Sequence, residues 1–359
     1  MKNNPKILIL GGGLAGTTLA WRCFYNEFDF LLFDLQQHKA SEKAAGIFNP
    51  VVFRRLTKSW MVDEAMPVAK GFYQKVEMEL NTSFFFEIPL QKALSEIEEI
   101  NQWEGKIGES NFENYLHPTQ NQIIEGTKNY KAWGKVKQAG WVDLKTYLSK
   151  SHEFFKAKGL FRFFTDIKEL NLNLPNFKPQ TSNLSIEAKK SEEFKIIHCT
   201  GPSAANDPLW SYLPWSLTKG ETLTIKASDL KTKNILKKHY FILPLGNDFF
   251  RVGATYNWNH LDWQPSNEGK SVLIEKLEEI IDCPYEIVKQ EAGIRPTTRA
   301  RRPFLGEHPT EKGNYIFNGL GSKGVMLAPL FSDVFFNYLS ENQPLPKELD
   351  INQIKLDYE

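Results

Sequence analysis

The sequence has little of what a disulfide framework, a zinc site or a membrane span requires. Its three cysteines, Cys23, Cys199 and Cys283, lie far apart with no C-x-x-C pair, and the seven histidines show no ligand spacing. We therefore expect neither disulfides nor a bound metal. No apolar run approaches the roughly 20 residues that span a bilayer. From these features we expect a soluble, cytoplasmic protein without a membrane segment.

The sequence also carries almost no net charge. Lysine and arginine number 44 against 43 acidic residues, a formal charge of +1, so the chain has no overall basic field for nucleic acid. The 359 residues are 41% hydrophobic and 24% charged, an ordinary composition for a folded protein of one or two domains. We interpret the basic run from Lys231 to Lys238 as a solvated helix face. Contact of its lysines with tRNA stays open as an alternative.

The N-terminal segment contains a strand, a glycine loop and a helix in succession. The apolar run Lys6–Leu10 has the length of a buried parallel strand. The G-x-G-x-x-G pattern that follows is typical of a loop that binds a dinucleotide, because its glycines permit a tight turn, close approach of the backbone to a pyrophosphate, and close packing of helix on strand. The helix N-terminus presents N–H groups to the phosphates. The expected contacts are Gly11, Gly13, Leu14, Ala15 and Gly16.

A second strand and an acidic residue complete this unit. The apolar run Phe30–Phe33 ends in Asp34, about 20 residues after the glycine loop. In dinucleotide-binding folds an acid at this place accepts hydrogen bonds from the ribose. The complete arrangement predicts a Rossmann-like unit that binds a dinucleotide.

A second glycine pattern, from Gly319 to Gly324, follows the strand-like segment Tyr315–Phe317. Only 35 residues come after this loop, too few for the βαβ unit of a second nucleotide fold. The loop is instead expected to open a helix from about Val325 to Tyr338. A helix N-terminus favours negative charge, and Lys323 adds to it. Since a reduced flavin carries negative charge near N1, the loop suits the isoalloxazine end of FAD.

Further motifs give the chain a resemblance to the FAD-dependent D-amino-acid oxidase/glycine oxidase superfamily over nearly its whole length. In chain order they are Ala44-Ala45-Gly46 with Asn49-Pro50, Gly140-Trp141-Val142-Asp143, Phe194 to Gly201, Lys219-Gly220-Glu221-Thr222, Tyr240 to Pro244, Arg251 to Thr255, Gly293 to Thr298, Arg302 to Gly306, and Gly319 to Pro329. The resemblance implies an α/β fold, a Rossmann-like FAD-binding domain with a second, mainly antiparallel-sheet substrate domain.

The cofactor motifs are spread along the chain, so we expect a discontinuous FAD-binding domain. It should comprise residues 1–80, 141–215 and 291–359, and the substrate-binding domain residues 81–140 and 216–290. Beyond the first loop, the resemblance implies FAD contacts from Ala45, Gly46, Thr200, Gly201, Gly319, Gly321, Ser322, Lys323, Gly324 and Val325. No Cys follows Cys283, and His38 is the only His close to the N-terminal flavin segment. We therefore expect noncovalent FAD.

The resemblance also implies a reaction and two catalytic residues. In glycine and D-amino-acid oxidases the Arg of an Arg-Pro motif grips the substrate carboxylate, and here that residue is Arg295; the alternative is an Arg paired with a buried acid. Lys323 is the second. The implied substrate is a small amine that carries a carboxylate. Hydride leaves its amine-bearing carbon for flavin N5, water hydrolyses the imine, and oxygen or another acceptor takes the electrons. Tyr240 and Tyr256 are expected in the aromatic core, with substrate orientation as the alternative.

Two other functions stay open. The loop Gly319 to Gly324 and the segment Gly46 to Pro50 are similar to the oxidase half of the bifunctional enzyme that matures 5-methylaminomethyl-2-thiouridine in tRNA. Glycine oxidase has an Arg where this chain has Ser322. One alternative is therefore a stand-alone FAD oxidase that acts on carboxymethylaminomethyl-uridine in tRNA. The other is a non-catalytic flavoprotein that uses FAD as a structural element or partner switch.

Overall fold

Two large sheets and seven helices are seen in a computed structural model, which describes residues 6–35, 40–109, 112–164 and 194–354. The strands in these ranges are β1 (Lys6–Leu10), β2 (Phe30–Leu35), β3 (Ile47–Phe48), β4 (Val51–Val52), β5 (Thr57–Lys58), β6 (Phe85–Glu87), β7 (Leu90–Leu94), β8 (Ala132–Val136), β9 (Gly140–Val142), β10 (Phe161–Phe164), β11 (Phe194–His198), β12 (Thr218–Lys226), β13 (Ile235–Lys237), β14 (Phe241–Gly246), β15 (Phe249–Gly253), β16 (Glu286–Arg295), β17 (Phe304–Glu307) and β18 (Asn314–Asn318). The helices are α1 (Leu14–Tyr25), α2 (Ala40–Lys43), α3 (Val62–Leu80), α4 (Ile97–Ile107), α5 (Leu144–Ala157), α6 (Asn267–Glu278) and α7 (Gly324–Glu341). None of these helices is long and apolar enough to cross a membrane.

The first sheet is built around the N-terminal strand. Its order is β10-β2-β1-β11-β18-β17, and neighbouring strands are parallel except for β17 and β18. Ile7 and Ile9 pack with α1 and α7 on one face, whereas Leu8 and Leu10 pack in a separate cluster on the other. Burial on both faces is the reason that all four residues from Ile7 to Leu10 are apolar. The predicted strand, loop, helix and second strand are confirmed.

The second sheet has the order β16-β12-β15-β14-β13-β7-β8. All neighbouring strands are antiparallel except β13 and β7. One face buries Leu223, Ile225 and Val252 against Leu273 and Leu277 of α6. The prediction of a mainly antiparallel second sheet is confirmed, and its other face is left to line the site described below.

The basic run from Lys231 to Lys238 is not a helix face, so that prediction is wrong. Its residues Ile235–Lys237 form β13, which lies between β14 and β7 within the second sheet. The parallel partner of Ile235 is Leu90, far away in the chain. Pairing with so distant a strand decides the structure here, and no local pattern reports it.

The last helix begins at Gly324, close to the predicted start, and contains Pro329 in its second turn. Proline has no N–H to donate, so the carbonyl four residues earlier loses its helical partner. That carbonyl belongs to Val325, and the Tyr73 hydroxyl donates a hydrogen bond to it at 2.9 Å. The Tyr73 hydroxyl therefore satisfies the carbonyl that Pro329 leaves without a helical partner.

Candidate active site

A cavity of about 1070 Å³ is lined by residues from both sheets. This volume slightly exceeds the 300–1,000 Å³ of most small-molecule pockets, so it has room for an extended ligand. The residues predicted for the site that line it are Gly11, Gly13, Leu14, Ala15, Asp34, Ala45, Gly46, Thr200, Gly201, Arg295, Gly321, Ser322, Lys323, Gly324 and Val325. The fold thus brings together residues from nearly the whole length of the chain.

Gly16 and Gly319 were expected to contact the cofactor but do not line the cavity. A Cβ on Gly16 would lie 2.0 Å from the Gly11 carbonyl oxygen, so Gly16 lets α1 pack against the loop, the role that its place in the pattern predicts. Gly319 has a φ of +78°, and a Cβ there would lie 2.7 Å from the side chain of Thr298. Both glycines shape the loops that carry the lining residues.

The first glycine loop forms a cradle at one end of the cavity. Gly11 has a φ of +110°, and a Cβ there would lie 2.4 Å from the carbonyl oxygen of Cys199. At Gly13 the nearest atom to a Cβ is the Ser41 hydroxyl at 3.4 Å, so its missing side chain leaves space in the cavity. Asp34 accepts a hydrogen bond from the Gly12 N–H at 2.8 Å. An open loop of this kind, at a helix N-terminus and beside an acid, fits the pyrophosphate and ribose of a dinucleotide.

Lys323 lies at the second loop, just before α7. Its ammonium donates a hydrogen bond to the Ser59 hydroxyl at 2.8 Å. Burial, and then the positive charges of Arg302 and Arg301, lower the pKa of Lys323 to about 8. A partly buried cation without a carboxylate partner among the described residues is suited to a ligand group that gains negative charge.

Arg295 is the last residue of β16, and Pro296 keeps it extended. Its Nη1 donates a hydrogen bond to the Thr255 carbonyl at 3.2 Å, and its guanidinium carbon lies 4.4 Å from the Tyr256 ring centroid. Burial lowers the pKa of Arg295, whereas Tyr256 and Tyr240 raise it; the group stays charged. In the described parts of the chain Arg295 has no ion pair with an acid, so the alternative of a buried Arg–acid pair is wrong there.

Tyr240 and Tyr256 both line the cavity. Tyr256 is 52% exposed and stacks on the guanidinium, so the expectation of a core position is wrong for this residue. Tyr240 is partly buried and packs against the core between the second sheet and α6. A tyrosine can serve both roles, because its ring packs while its hydroxyl remains available.

The face of the second sheet that lines the cavity is kept open by glycine. Gly220 lies in the interior of β12, where glycine often marks a close approach, and Gly253 ends β15. A Cβ on Gly220 would lie 2.1 Å from Nη2 of Arg295, so the guanidinium rests directly on the backbone. The opposite face of the same strand holds Glu221, which accepts hydrogen bonds from the backbone and hydroxyl of Ser266 at the start of α6. The Lys219-Gly220-Glu221-Thr222 motif therefore contributes to both faces.

The cavity is also lined by residues that were not predicted from the sequence as site residues, among them Ser41, Ser59 and Lys237. Ser41 accepts a hydrogen bond from the Leu14 N–H at 3.1 Å, Ser59 holds Lys323, and Lys237 lies on β13. The sequence Ile235-Leu236-Lys237 has no apolar–polar alternation, so it gave no local signal of the strand. Nothing local links Ser59 to a lysine 264 residues later. His38 lies outside the described residues.

Comparison with known proteins finds segments of the chain that are similar to glycine oxidase and to a bifunctional protein of tRNA biosynthesis. It is 30% identical to glycine oxidase of Geobacillus kaustophilus (strain HTA426) over 116 residues, which are 31% of each chain. It is 24% identical over 143 residues to the tRNA 5-methylaminomethyl-2-thiouridine biosynthesis bifunctional protein MnmC of Idiomarina loihiensis, which are 38% of this chain and 23% of that protein. The matched segment thus spans about a third or less of each relative.

The fold is similar to that of iminodiacetate oxidase from Chelativorans sp. BNC1, with a TM-score of 0.74 over 98% of this chain and 97% of that one, at 16% identity. The prediction of an α/β, Rossmann-like fold is confirmed. A model of the FAD dependent oxidoreductase family, DAO, matches residues 6–335, and its cofactor fits the glycine cradle and the long cavity. The chain therefore belongs to the DAO family of FAD-dependent oxidoreductases.

Proposed function

We propose that the chain oxidises an amine that lies next to a carboxylate, either an amino acid or an N-substituted glycine. The observation that carries this proposal is the Arg295 guanidinium, which lies in the cavity without an acidic partner in the described chain. A planar fork of donors matches a carboxylate in a bidentate contact. The names of the relatives agree with it, since glycine and iminodiacetate are both amines next to a carboxylate.

The residues of the chain would bind and orient the substrate. Arg295 would hold the carboxylate, the Tyr256 ring would support the guanidinium by stacking on it, and the Tyr240 hydroxyl would contact the amine. FAD, when bound, supplies the oxidant, because its isoalloxazine N5 accepts a hydride. The amine-bearing carbon then becomes an imine carbon, which water hydrolyses. Because the cofactor carries the chemistry, the protein need supply only orientation and charge, and oxygen or another acceptor takes the electrons.

We propose that FAD is held noncovalently by the residues predicted for it, with Gly16 and Gly319 acting through the loops. We also propose that the chain is divided into two domains. Residues 1–80, 141–215 and 291–359 form the FAD-binding domain, and residues 81–140 and 216–290 form the substrate-binding domain. In support, the first sheet takes its strands from the first set, whereas six of the seven strands of the second sheet come from the other. Three free cysteines support a cytoplasmic location.

A second candidate is oxidation of carboxymethylaminomethyl-uridine in tRNA. The match to the bifunctional tRNA enzyme favours it, and that modified base also carries an amine next to a carboxylate. The basic run from Lys231 to Lys238 does not form a single exposed surface for RNA. Lys231 and Lys233 are exposed, whereas Lys237 lines the cavity. The small-molecule substrate is therefore the primary proposal.

An anaerobic screen for flavin bleaching tests both candidates. Purified holoprotein is mixed with glycine, sarcosine, longer N-alkylglycines, the corresponding amines without a carboxylate, and tRNA that carries the modified uridine. The proposal expects bleaching by the carboxylate amines alone. Selective bleaching by the tRNA would favour the second candidate, and a flavin that no amine bleaches would identify a non-catalytic flavoprotein.

Gly220→Ala should impair substrate binding without loss of FAD. The new methyl group would overlap the Arg295 guanidinium, whose atoms lie 2.1–2.4 Å from the Cβ position, and so must displace it. Displacement of a positioning group by about 1 Å costs on the order of 100-fold in rate. The measurement is kcat/KM for the best carboxylate amine, together with FAD content.

The matched control is Gly71→Ala in α3, where a Cβ would meet nothing within 4 Å. This variant should keep full activity and gain up to about 1 kcal/mol of helix stability. Normal kcat/KM in Gly220→Ala would show that the guanidinium has no role at this position.

Lys323→Met should lower the two-electron reduction potential of the bound FAD. The ammonium lies in the cavity at the start of α7, where it favours the negative charge that flavin carries when reduced. A loss of 1.4 kcal/mol corresponds to about 30 mV. The potential is measured by equilibrium reduction against a reference dye, with the exposed Lys312→Met as control. An unchanged reduction potential in Lys323→Met that is saturated with FAD would contradict the prediction, because it would show that the Lys323 ammonium lies too far from the isoalloxazine ring to affect it.

A further inference from the structure

The cavity wall also contains Lys237, a cation that the proposed reaction does not use. The other lining lysines are Lys43, which forms an ion pair with Glu291, and Lys323. Lys237 is partly buried, lines the cavity, and donates a hydrogen bond from Nζ to the carbonyl of His239 at 2.9 Å. Its ammonium lies 5.7 Å from the centroid of the Phe53 ring. Burial, and then the positive charge of Lys92, lower the pKa of Lys237 to about 8. A neutral backbone oxygen and an aromatic ring stabilise this cation far less than a carboxylate would.

The sheet register places Lys237 on the same face as the substrate arginine. Lys237 pairs with Phe241, Phe241 with Gly253, and Gly253 with Thr222, and all four line the cavity. Side chains of directly paired residues project from the same face of a sheet. This row of residues therefore leads across the cavity wall from Lys237 to the strand that supports the Arg295 guanidinium.

The two cations are separated by a distance that a small molecule can bridge. Adjacent strands lie about 4.8 Å apart, so three strand spacings put the Cα of Lys237 about 14 Å from that of Thr222. The guanidinium of Arg295 rests on Gly220, the next residue along β12 on this face. Both side chains line the cavity, so a ligand that contacts the two charged groups must span several strand spacings.

The charges around this part of the cavity are positive. Among the described residues that line it, the acids are Asp34 and Asp207. Asp34 lies on β2 and accepts a hydrogen bond from the first glycine loop, and Asp207 follows the turn after β11. Both acids thus lie at the segments that carry the nucleotide motifs and not on the second sheet. The second sheet contributes Lys237 and Arg295 without a lining acid. Two cations of this kind complement a ligand with two negative charges.

We propose that Lys237 is a specificity-determining residue that binds a second carboxylate on the substrate. The substrate class is then an N-substituted glycine whose nitrogen substituent ends in a carboxylate. The glycine carboxylate contacts Arg295, the amine lies between the cations, and the distal carboxylate contacts Lys237. This inference rests on the proposed function, because Arg295 must hold the first carboxylate.

The test compares matched substrate pairs in wild type and in Lys237→Met. Each pair consists of an N-(carboxyalkyl)glycine and an N-alkylglycine of equal chain length, over one to four methylene groups. Wild type should prefer the diacid of the best length by about 10- to 100-fold in kcat/KM, the value of a charged hydrogen bond. Lys237→Met should lose this preference while its kcat/KM for the monoacid and its FAD content stay the same. Lys233→Met, at an exposed lysine of the same run, is the control and should keep the preference.

Binding of unreactive ligands separates this inference from the proposed reaction. Carboxyalkoxyacetates and alkoxyacetates replace the amine with an ether oxygen, so they bind without oxidation, and the flavin spectrum or calorimetry gives Kd. The diacid should bind about 10- to 100-fold more tightly in wild type and lose that advantage in Lys237→Met. Equal Kd values for the two classes would overturn the role of Lys237 even if monoacid amines are oxidised. If the diacids bind more tightly but no amine is oxidised, the proposed reaction is overturned, whereas the role of Lys237 in binding a carboxylate stands. Loss of FAD or a shifted flavin potential in Lys237→Met, with diacid preference intact, would assign the ammonium to the cofactor.

Discussion

Gly13→Val should give a folded protein that has lost most of its FAD. The backbone at Gly13, with φ −76° and ψ −168°, is in the extended region that valine accepts. In the protein itself the nearest atom to a Cβ is the Ser41 hydroxyl at 3.4 Å. The branched side chain would instead fill the space through which the backbone meets a pyrophosphate. Overpacking costs about 1–3 kcal/mol, which weakens FAD binding about 5- to 150-fold.

The measurement is the ratio of flavin absorbance to protein, followed by a titration of stripped protein with FAD. Gly71→Val is the matched control, because its Cβ position is open and valine is no worse than glycine in a helix. Gly16→Ala should behave differently and destabilise the fold, since its Cβ would lie 2.0 Å from the Gly11 carbonyl oxygen. Full FAD affinity in folded Gly13→Val would contradict the proposal that the backbone at Gly13 meets the pyrophosphate.

Acid precipitation of wild type should release intact FAD, and flavin left on the pellet would count against noncovalent binding.

The parts of the fold that the sequence predicts are those in which adjacent residues decide the structure. In β1 and α1 the apolar run, the glycines and the helix pattern act over about 20 residues, so strand, loop and helix were all predicted. The last helix was predicted within one residue of its start, because a glycine loop precedes it. Family resemblance added Arg295, which no composition or spacing identifies.

Contacts between distant segments were not predictable in this way. Lys237 belongs to a run of lysines that looks solvated, and only pairing with β7 and β14 turns its side chain into the cavity. Tyr256 was expected in the core because aromatic residues usually are buried, yet it stacks on a guanidinium that itself requires a glycine on β12. In each case the decisive neighbour lies on another strand of the sheet.

The strand glycines are a signal that could have found part of this site. A glycine in a strand interior weakens the strand, so its presence calls for a close approach by another group. At Gly220 that group is the Arg295 guanidinium, and at Gly293 it is Lys43 of α2, whose Cβ would lie 3.1 Å from a new Cβ. The glycines of the second sheet thus mark the positions at which side chains from other segments pack directly against the strand backbone.

Arg295→Lys should lower kcat/KM for carboxylate amines sharply while the protein stays folded and yellow. Lysine keeps the charge but has no planar fork, and it loses the face that lies 4.4 Å from the Tyr256 ring. Loss of a charged hydrogen-bond partner at a desolvated site costs about 2–5 kcal/mol, or roughly 30- to several-thousand-fold in kcat/KM. FAD content and Tm should match wild type, because the contacts of the Arg295 side chain in the described structure are weak ones: a 3.2 Å hydrogen bond to the Thr255 carbonyl and a stack on the exposed Tyr256 ring.

The control is Arg299→Lys, the same exchange at an exposed arginine four residues later, which should leave kcat/KM unchanged. Amines that lack the carboxylate supply the second comparison, since wild type and Arg295→Lys should oxidise them equally slowly. If Arg295 binds the carboxylate, Arg295→Lys therefore lowers kcat/KM for sarcosine but not for its decarboxylated analogue. Equal oxidation of both amines by wild type would remove the amino-acid-like substrate class. Loss of FAD from Arg295→Lys, with activity per bound flavin preserved, would make Arg295 a structural residue, because a guanidinium that binds only substrate has no effect on the cofactor.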